Sequence, residues 1–566
     1  MFFECKVLSS LEKVFCRPEW KAFGTECPPV ERNHFSGAKG EVVSFQLAVK
    51  AEENFHLTFR AEGALTDMVE FREVGLVPCE KPADPADPFV LTHEPGIFPD
   101  PLLPVKGSMR LSVGNWHSVW VTVRIPQDFA PGVYPVKILI GTVEIPECPW
   151  KSAVEIHLSQ TVFLEVLSFA LPPQKLIAVN WFYADCIAEY YRLTPWSEEF
   201  WRMLGKYFRN MADHGNNILY TPLWTVPLDT AIGGERPTVQ LLKISLSGGK
   251  YTFDFSLLER WIELARENGI ELFEMAHAFT QWGAKHAPKI FVNENGKEIK
   301  KFGWHTDAMS PEYTDFLNAL LPELTAFLRK MKLSGKCYFH ISDEPTLEVL
   351  EDYRKASALF RKYLDDEEFP VIDALSNVEF FREGLVRRPV PCTHHVDHFP
   401  LEEVRQRWCY YCGNWSPDLP NRSYGMPSVR NRVLGLLLYL YRMDGFLHWG
   451  YNFWFSQYSV NWHLDPWKDT TAGRAFCGGN SFNVYPGEDG PVDSIHFEVY
   501  REALQDLRLF QLLEDKIGRE KCVALLQQGV PYPIDMSHYP HSNEWLPEVR
   551  DRVIAELKKE FGPASA

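Results

Sequence analysis

The residues best suited to chemistry are an acidic pair, Asp343 and Glu344, in the run Phe339-His340-Ile341-Ser342-Asp343-Glu344-Pro345. An apolar run that ends in two carboxylates and a histidine reads as a strand delivering charge to its carboxyl end, where Pro345 turns the chain away. Like charges forced together out of water raise a pKa, so one carboxyl can donate a proton while its neighbour stays ionised. That is equipment for glycoside hydrolysis. Taken alone, the pair also fits a helix-capping Asp beside a solvated Glu. The end of a barrel strand is the setting that favours catalysis.

A retaining glycosidase of the usual kind needs a second carboxylate about 5 Å across the site, and an inverting one needs it farther away. The segments predicted as strands seven and eight offer none: WCYYCGNW, from Trp408 to Trp415, carries aromatics and amides, and GFLHWGYNFW has no acid after Asp444. Glu274, Asp185, Asp397 and Asp465 are the outsiders. Glu274 leads them, with an internal ion pair as its other reading. The shortage favours a substrate that brings its own nucleophile, a 2-acetamido oxygen that attacks the anomeric carbon and forms an oxazoline. Asp343 would then orient the acetamido N–H, and Glu344 would protonate the leaving oxygen and later deprotonate water. Tyr410 or Tyr411 would hydrogen-bond the acetamido carbonyl. Trp224, Trp415, Trp449 and Trp454 are candidates to stack on sugar faces, as are Trp181, Trp282 and Trp304, and His277 and Asn452 join them as substrate contacts.

These groups need a scaffold, and the pattern supplies one. Residues 1–168 read as an all-β sandwich: Val119, Val121 and Val123 alternate with Trp120, Thr122 and Arg124, as in a half-buried strand. The Pro-rich stretch from Glu80 to Pro104 reads as loop. From Leu171-Pro172-Pro173 onward, short apolar runs alternate with amphipathic segments. Strands are predicted at 175–181, 217–222, 270–277, 336–342, 370–376, 388–395, 408–413 and 445–452. Helices are predicted after Thr194-Pro195, over Ser256–Asn268 and after Ser310-Pro311. Eight such units over 169–515 fit a (β/α)₈ TIM-like barrel better than an open doubly wound sheet, and no G-x-G-x-x-G or P-loop follows the first strand. Residues 516–566 read as a helical tail.

Composition removes several classes. The 566 residues are 45% apolar with 18 Trp, ample material for packed cores. A net charge of −17 disfavours nucleic acid and anionic membranes as partners, and the glycosidase reading of the acidic pair points to an oligosaccharide or glycoconjugate substrate. The N-terminus, MFFECKVLSSLEKVF, lacks signal-peptide character and no stretch approaches a transmembrane span, so a cytoplasmic location is expected. The 12 Cys are scattered, and Cys409-Tyr-Tyr-Cys412, inside a predicted strand, reads as structural thiols. His394-His395-x-x-His398 imitates a ligand set, but neighbouring histidines on a strand point apart. Neither a metal nor another cofactor is expected.

The ending H-I-S-D-E-P, the A-P-G-V-Y turn at Ala130–Tyr134, and Tyr485-Pro486-Gly487 followed by Gly490-Pro491 and Ser494-Ile495 together resemble glycoside hydrolase family 123. The resemblance implies a β-sandwich with a TIM-like catalytic barrel, and release of terminal β-linked N-acetylgalactosamine by substrate-assisted retention. It assigns Asp343 as stabiliser and Glu344 as acid/base. The chain departs from the family pattern at Ser494-Ile495-His496, where Arg is expected in place of His496, and at Arg501-Glu502-Ala503, where a glycine is expected. A missing sugar-site Arg would imply a different sugar. Two other functions fit the residues: a retaining glycosidase with Glu274 or Asp397 as nucleophile, and a carbohydrate-binding protein on a degenerate barrel.

Overall fold

The alternating apolar residues of the first third fold into two five-stranded sheets. One runs, in spatial order, Phe3–Ser9, Val42–Ala51, Trp116–Arg124, Val69–Cys79, Gly96–Pro104; the other runs His34–Lys39, Val154–Ala170, Gly132–Val143, Phe55–Glu62, Met109–Leu111. This is a computed structural model, and it describes residues 3–16, 31–53, 55–143, 154–413 and 418–562. Phe45, Leu47, Val119, Val121 and Val123 of the first sheet share one core with Ile138, Ile140 and Leu164 of the second. The strand read as half-buried is buried on both faces. Its Trp120 packs into the larger core of the rest of the chain, and Thr122 accepts a 2.8 Å hydrogen bond from Arg72. Arg72 in turn pairs with Glu498 at 2.7 Å and Asp493 at 2.6 Å. The stretch read as loop up to Pro104 ends in a strand, whose prolines are tolerated because it lies at a sheet edge.

All eight expected parallel strands form, each only two to four residues long: β1 Ile177–Asn180, β2 Ile218–Thr221, β3 Leu272–Met275, β4 Cys337–Tyr338, β5 Ile372–Ala374, β6 Arg388–Val390, β7 Trp408–Tyr410 and β8 Gly445–His448. Parallel ladders join β2 to β3, β3 to β4, β5 to β6, β7 to β8 and β8 to β1. Single parallel bridges, Phe339 to Val371 and Cys392 to Tyr410, link β4 to β5 and β6 to β7. Between β1 and β2, the Ala178 N–H donates to Asn217 Oδ1 at 2.9 Å and the Asn217 N–H donates to Ala178 O at 3.2 Å. Each strand therefore meets its successor, and the last meets the first.

The helices start where capping chemistry allows. Glu198–Asp213 begins four residues after Thr194, because Ser197 is the residue that caps it, accepting the Phe200 N–H at 3.3 Å. Pro311–Lys330 begins at a proline behind the Ser310 cap and buries Leu317, Leu320, Leu321 and Leu324. Between β2 and β4 the chain adds a four-stranded sheet of Lys250–Asp254, Lys243–Ser247, Ile290–Glu294 and Lys297–Phe302. The C-terminal helix Trp545–Phe561 is tied back by Arg550, which donates to Asp506 at 2.6 Å and also pairs with Glu41. Among the described residues, no helix is long and apolar enough to cross a membrane.

Candidate active site

Beyond β4 the chain leaves the ladder and delivers Asp343 and Glu344 to the carboxyl ends of the parallel strands. Glu344 adopts a left-handed backbone, φ +45°, a conformation that costs a non-glycine residue roughly 1–3 kcal/mol. Two main-chain bonds hold it there: the Glu344 N–H donates to Ala374 O and the Trp282 N–H donates to Asp343 O, each at 2.9 Å. Pro345 then prevents a return to the strand.

Each carboxylate has one side-chain partner. Tyr410 Oη, from β7, donates to Glu344 Oε1 at 2.5 Å. Gln281 Nε2 donates to Asp343 Oδ2 at 3.0 Å, and the Gln281 amide is itself fixed because its Oε1 accepts the Asp229 N–H at 2.6 Å. Asp343 is only 5% exposed. Burial, then the neighbouring Glu344, pushes its carboxyl well above the usual range. Burial also raises Glu344; the Tyr410 bond opposes that rise and the charge of Cys392 adds to it. Both carboxyls therefore hold a proton more tightly than a solvated carboxyl does.

Beneath the pair lies a buried array that the sequence did not reveal. His340, expected at the strand mouth, points inward instead: Nδ1 meets Asp373 Oδ1 at 3.1 Å and Nε2 makes a short contact with Glu274 Oε1. Burial alone would lower its pKa, but Glu274 and Asp373 outweigh it and lift His340 to about 9. Trp181 Nε1 donates to Glu274 at 2.8 Å, and Tyr353 Oη donates to Asp373. Glu274 Oε1 is thus held in an internal ion pair, while its Oε2 is buried without a partner. His277, His340 and Asp373 bring possible ligand atoms within 4.8 Å of one another, as do His214, Asp493 and Glu498. In both groups protein charges already face each other, His340 against Glu274 and Asp373, and Arg72 against Asp493 and Glu498.

Of the two tyrosines left open by the sequence, Tyr410 reaches the pair. Tyr411 turns to the opposite side, against Phe446 and His448, and its hydroxyl is buried without a partner. Trp449 is half-buried against Phe453 and Phe476. Trp224, Trp454, Asn452 and His277 are buried with defined partners. Trp224 Nε1 donates to His277 O at 2.8 Å, and Trp454 Nε1 donates to Val484 O at 3.2 Å. Asn452 bonds both main-chain groups of Tyr183, and His277 stacks on His340 at 4.1 Å. Trp415 lies outside the described residues. Asp397 is exposed near Tyr441, and Asp185 is bound by Arg236 at 2.9 Å. The three histidines lie on a 3₁₀ helix, Thr393–His398, not on a strand, so their rings come together, His394 and His395 at 3.8 Å between centroids.

Gln281 and Asp229 were missed. Asp229 carries a buried carboxylate oxygen without a partner, and burial pushes its pKa up to about 6 against the opposing effects of the Tyr458 backbone and Arg236. Neither residue has a local signature; only the convergence of two loops identifies them.

A family profile described as "Glycoside hydrolase 123, catalytic domain" matches residues 181–513, a span that holds Asp343, Glu344, Tyr410, Gln281 and His340. The chain belongs to glycoside hydrolase family 123. A family 123 glycoside hydrolase from Clostridium perfringens, solved to detail glycolipid glycan hydrolysis, superposes with a TM-score of 0.72 at 14% identity, covering 99% of this chain and 97% of that one. At that identity the likeness is one of fold. SSP-19, an MSP-domain protein-like family member of Caenorhabditis elegans, aligns over 24% of this chain and 95% of its own at 8% identity, and its TM-score of 0.15 carries no argument. No curated protein matches the sequence. As for the departures from the family 123 pattern, His496 is buried against the first third of the chain, with Nδ1 2.8 Å from Asp100 Oδ1 and Nε2 2.9 Å from Phe482 O. Arg501 pairs with Glu498. Neither contacts Asp343 or Glu344.

Proposed function

We propose that this family 123 hydrolase releases terminal β-linked N-acetylhexosamine, with N-acetylgalactosamine favoured, from an oligosaccharide or glycoconjugate by a retaining, substrate-assisted mechanism. The observation that carries the reading is the pairing of Asp343 with Glu344 while Glu274, the carboxylate otherwise nearest in role to a nucleophile, is engaged by His340 and Trp181. The continuous neighbour-to-neighbour pairing of β1 through β8 supports a (β/α)₈ barrel, with the N-terminal sheets as a β-sandwich ending near residue 168 and a helical tail after 515.

In this mechanism the substrate's acetamido oxygen attacks the anomeric carbon as Glu344 gives its proton to the departing oxygen. Asp343, ionised once the acetamido N–H binds it, stabilises the positive charge that develops on the oxazolinium nitrogen. Glu344 then takes a proton from the water that opens the ring. Tyr410 remains protonated, since burial and the adjacent Glu344 hold its pKa well above the ordinary phenol value. Its hydroxyl can therefore pass from Glu344 to the acetamido carbonyl. Trp449, half-buried, offers a ring to the sugar, whereas Trp224, Trp454, Asn452 and His277 are buried and reach the substrate only through the groups they support. The activity of the Clostridium perfringens enzyme on glycolipid glycans supports a glycoconjugate as substrate class.

Hydrolysis of 4-nitrophenyl N-acetyl-β-galactosaminide, compared with the plain β-galactoside, tests the proposal: only the acetamido substrate should turn over. Equal rates would overturn it. A double displacement would then have to draw on Asp229 or Glu274, each of which keeps one buried carboxylate oxygen without a partner.

A further inference from the structure

Residues 280–284, in the loop after β3, close around the turn that carries the catalytic pair. The Trp282 N–H donates to Asp343 O at 2.9 Å, and the Gly283 and Ala284 N–H groups donate to Ser342 Oγ at 3.2 and 3.1 Å. Ser342 Oγ donates in turn to Thr280 O at 2.9 Å. Gln281 extends this clamp to the side chain, its Nε2 donating to Asp343 Oδ2 at 3.0 Å. The amide can face only one way. Its Oε1 lies 2.6 Å from the Asp229 main-chain nitrogen, and a peptide N–H can only donate, so the oxygen must face Asp229 and the NH₂ must face Asp343. Asp229 is itself fixed: its φ is +42°, Ser459 Oγ donates to its carbonyl at 2.7 Å, and the Ala231 N–H donates to Tyr458 O at 3.0 Å. The loops after β2, β3 and β8 thus converge on one oxygen of Asp343. Among the described residues, Oδ1 takes no side-chain hydrogen bond.

We propose that Gln281 is the positioning residue that commits Asp343 to the acetamido group, holding Oδ2 and leaving Oδ1 for the acetamido N–H. The inference rests on the acetamido mechanism and deepens it. A donor at Oδ2 favours the ionised carboxylate, the form that stabilises positive charge on the oxazolinium nitrogen, and so works against the burial and the Glu344 charge that favour the proton. It also fixes the carboxylate plane before substrate arrives, so little reorganisation accompanies the developing charge. The other charges acting on Asp343 are Glu344 beside it and His340 and Asp373 beneath it, and the Asp229 carboxyl, near Arg236, lies beyond the amide. Substitution at Gln281 leaves all of these in place.

Gln281→Glu and Gln281→Leu test the assignment, with kcat and KM for 4-nitrophenyl N-acetyl-β-galactosaminide followed on the full-length protein from about pH 4 to about pH 9. Glu keeps the shape of the side chain. While protonated it still donates an O–H to Oδ2 and accepts the Asp229 N–H; once ionised it faces Asp343 as a like charge. The kcat of Gln281→Glu should stay within about threefold of wild type at acid pH and fall to roughly 100-fold below it at about pH 8, with KM changing much less. Gln281→Leu donates at no pH. Its kcat should be down about 10–100-fold, and the acid limb of its kcat/KM profile should move to higher pH, because Asp343 loses a partner that favours its charge. A merely structural role would lower each variant by the same factor at every pH. A Gln281→Glu rate in constant ratio to wild type, or a Gln281→Leu enzyme with wild-type kcat, would overturn the inference and leave the proposed activity standing. Wild-type protein that hydrolysed the plain β-galactoside equally well would overturn the acetamido mechanism, and the inference with it.

Discussion

Tyr410 and Glu344 reach each other from β7 and the end of β4, with the tyrosine hydroxyl donating to the carboxylate at 2.5 Å. That bond lowers the pKa of a carboxyl that burial raises, so it sets how strongly Glu344 holds its proton. Tyr410→Phe removes the opposing influence. The Glu344 pKa should rise, and the basic limb of the kcat/KM profile should move to higher pH. The maximal rate should fall roughly 10–100-fold from loss of a positioned hydrogen bond. A pH–rate series on both proteins reads both effects.

Asp343→Asn should lower kcat roughly 10²–10³-fold, as expected for loss of a group that stabilises charge in the transition state. It should also stabilise the fold at neutral pH. A carboxyl whose pKa is raised on folding contributes stability below its unfolded value, near 3.9, and loses it as pH rises through the folded value. The variant should be more stable than the wild type at pH 7 and lose the advantage near pH 4, as measured by urea unfolding at the two pH values.

His340 titrates in the same sense but at higher pH. Its folded pKa is raised to about 9, so the stability it contributes is complete below about 6.5 and is lost as pH rises toward 9. Melting temperature should decline over that window in the wild type and be flatter in His340→Gln. That variant should be destabilised by about 3 kcal/mol at pH 6, because Glu274 and Asp373 lose the charge between them.

Asp229→Asn distinguishes the two hydrolytic readings. If the substrate supplies the nucleophile, the variant should retain retaining stereochemistry, and a 2-fluoro glycoside should label neither Asp229 in the wild type nor another carboxylate in the variant. Labelled Asp229, found by peptide mapping, would select double displacement.

The acidic pair was legible because a short apolar run, two carboxylates and a proline are contiguous. The eight parallel strands were legible in number but not in length: apolar character continues through Ala276, His277 and Ile341 as residues that pack inside without extending the ladder. The added sheet within 243–302 has a signal, the alternation of Lys243–Ser247 before the Gly248-Gly249 turn, but the βα repeat around it masks so short a hairpin. The inward turn of His340 and the Gln281 link to Asp343 depend on residues from separate strands, and a linear pattern does not encode that convergence.

The central claim is that the substrate's acetamido oxygen is the nucleophile. The most direct measurement is kcat/KM for 4-nitrophenyl β-galactosaminides bearing acetyl, monofluoroacetyl, difluoroacetyl and trifluoroacetyl groups on nitrogen. Fluorine withdraws electron density from the carbonyl oxygen, so the rate should fall steeply and steadily along the series. A flat series would contradict the account and move the nucleophile from the sugar to the protein.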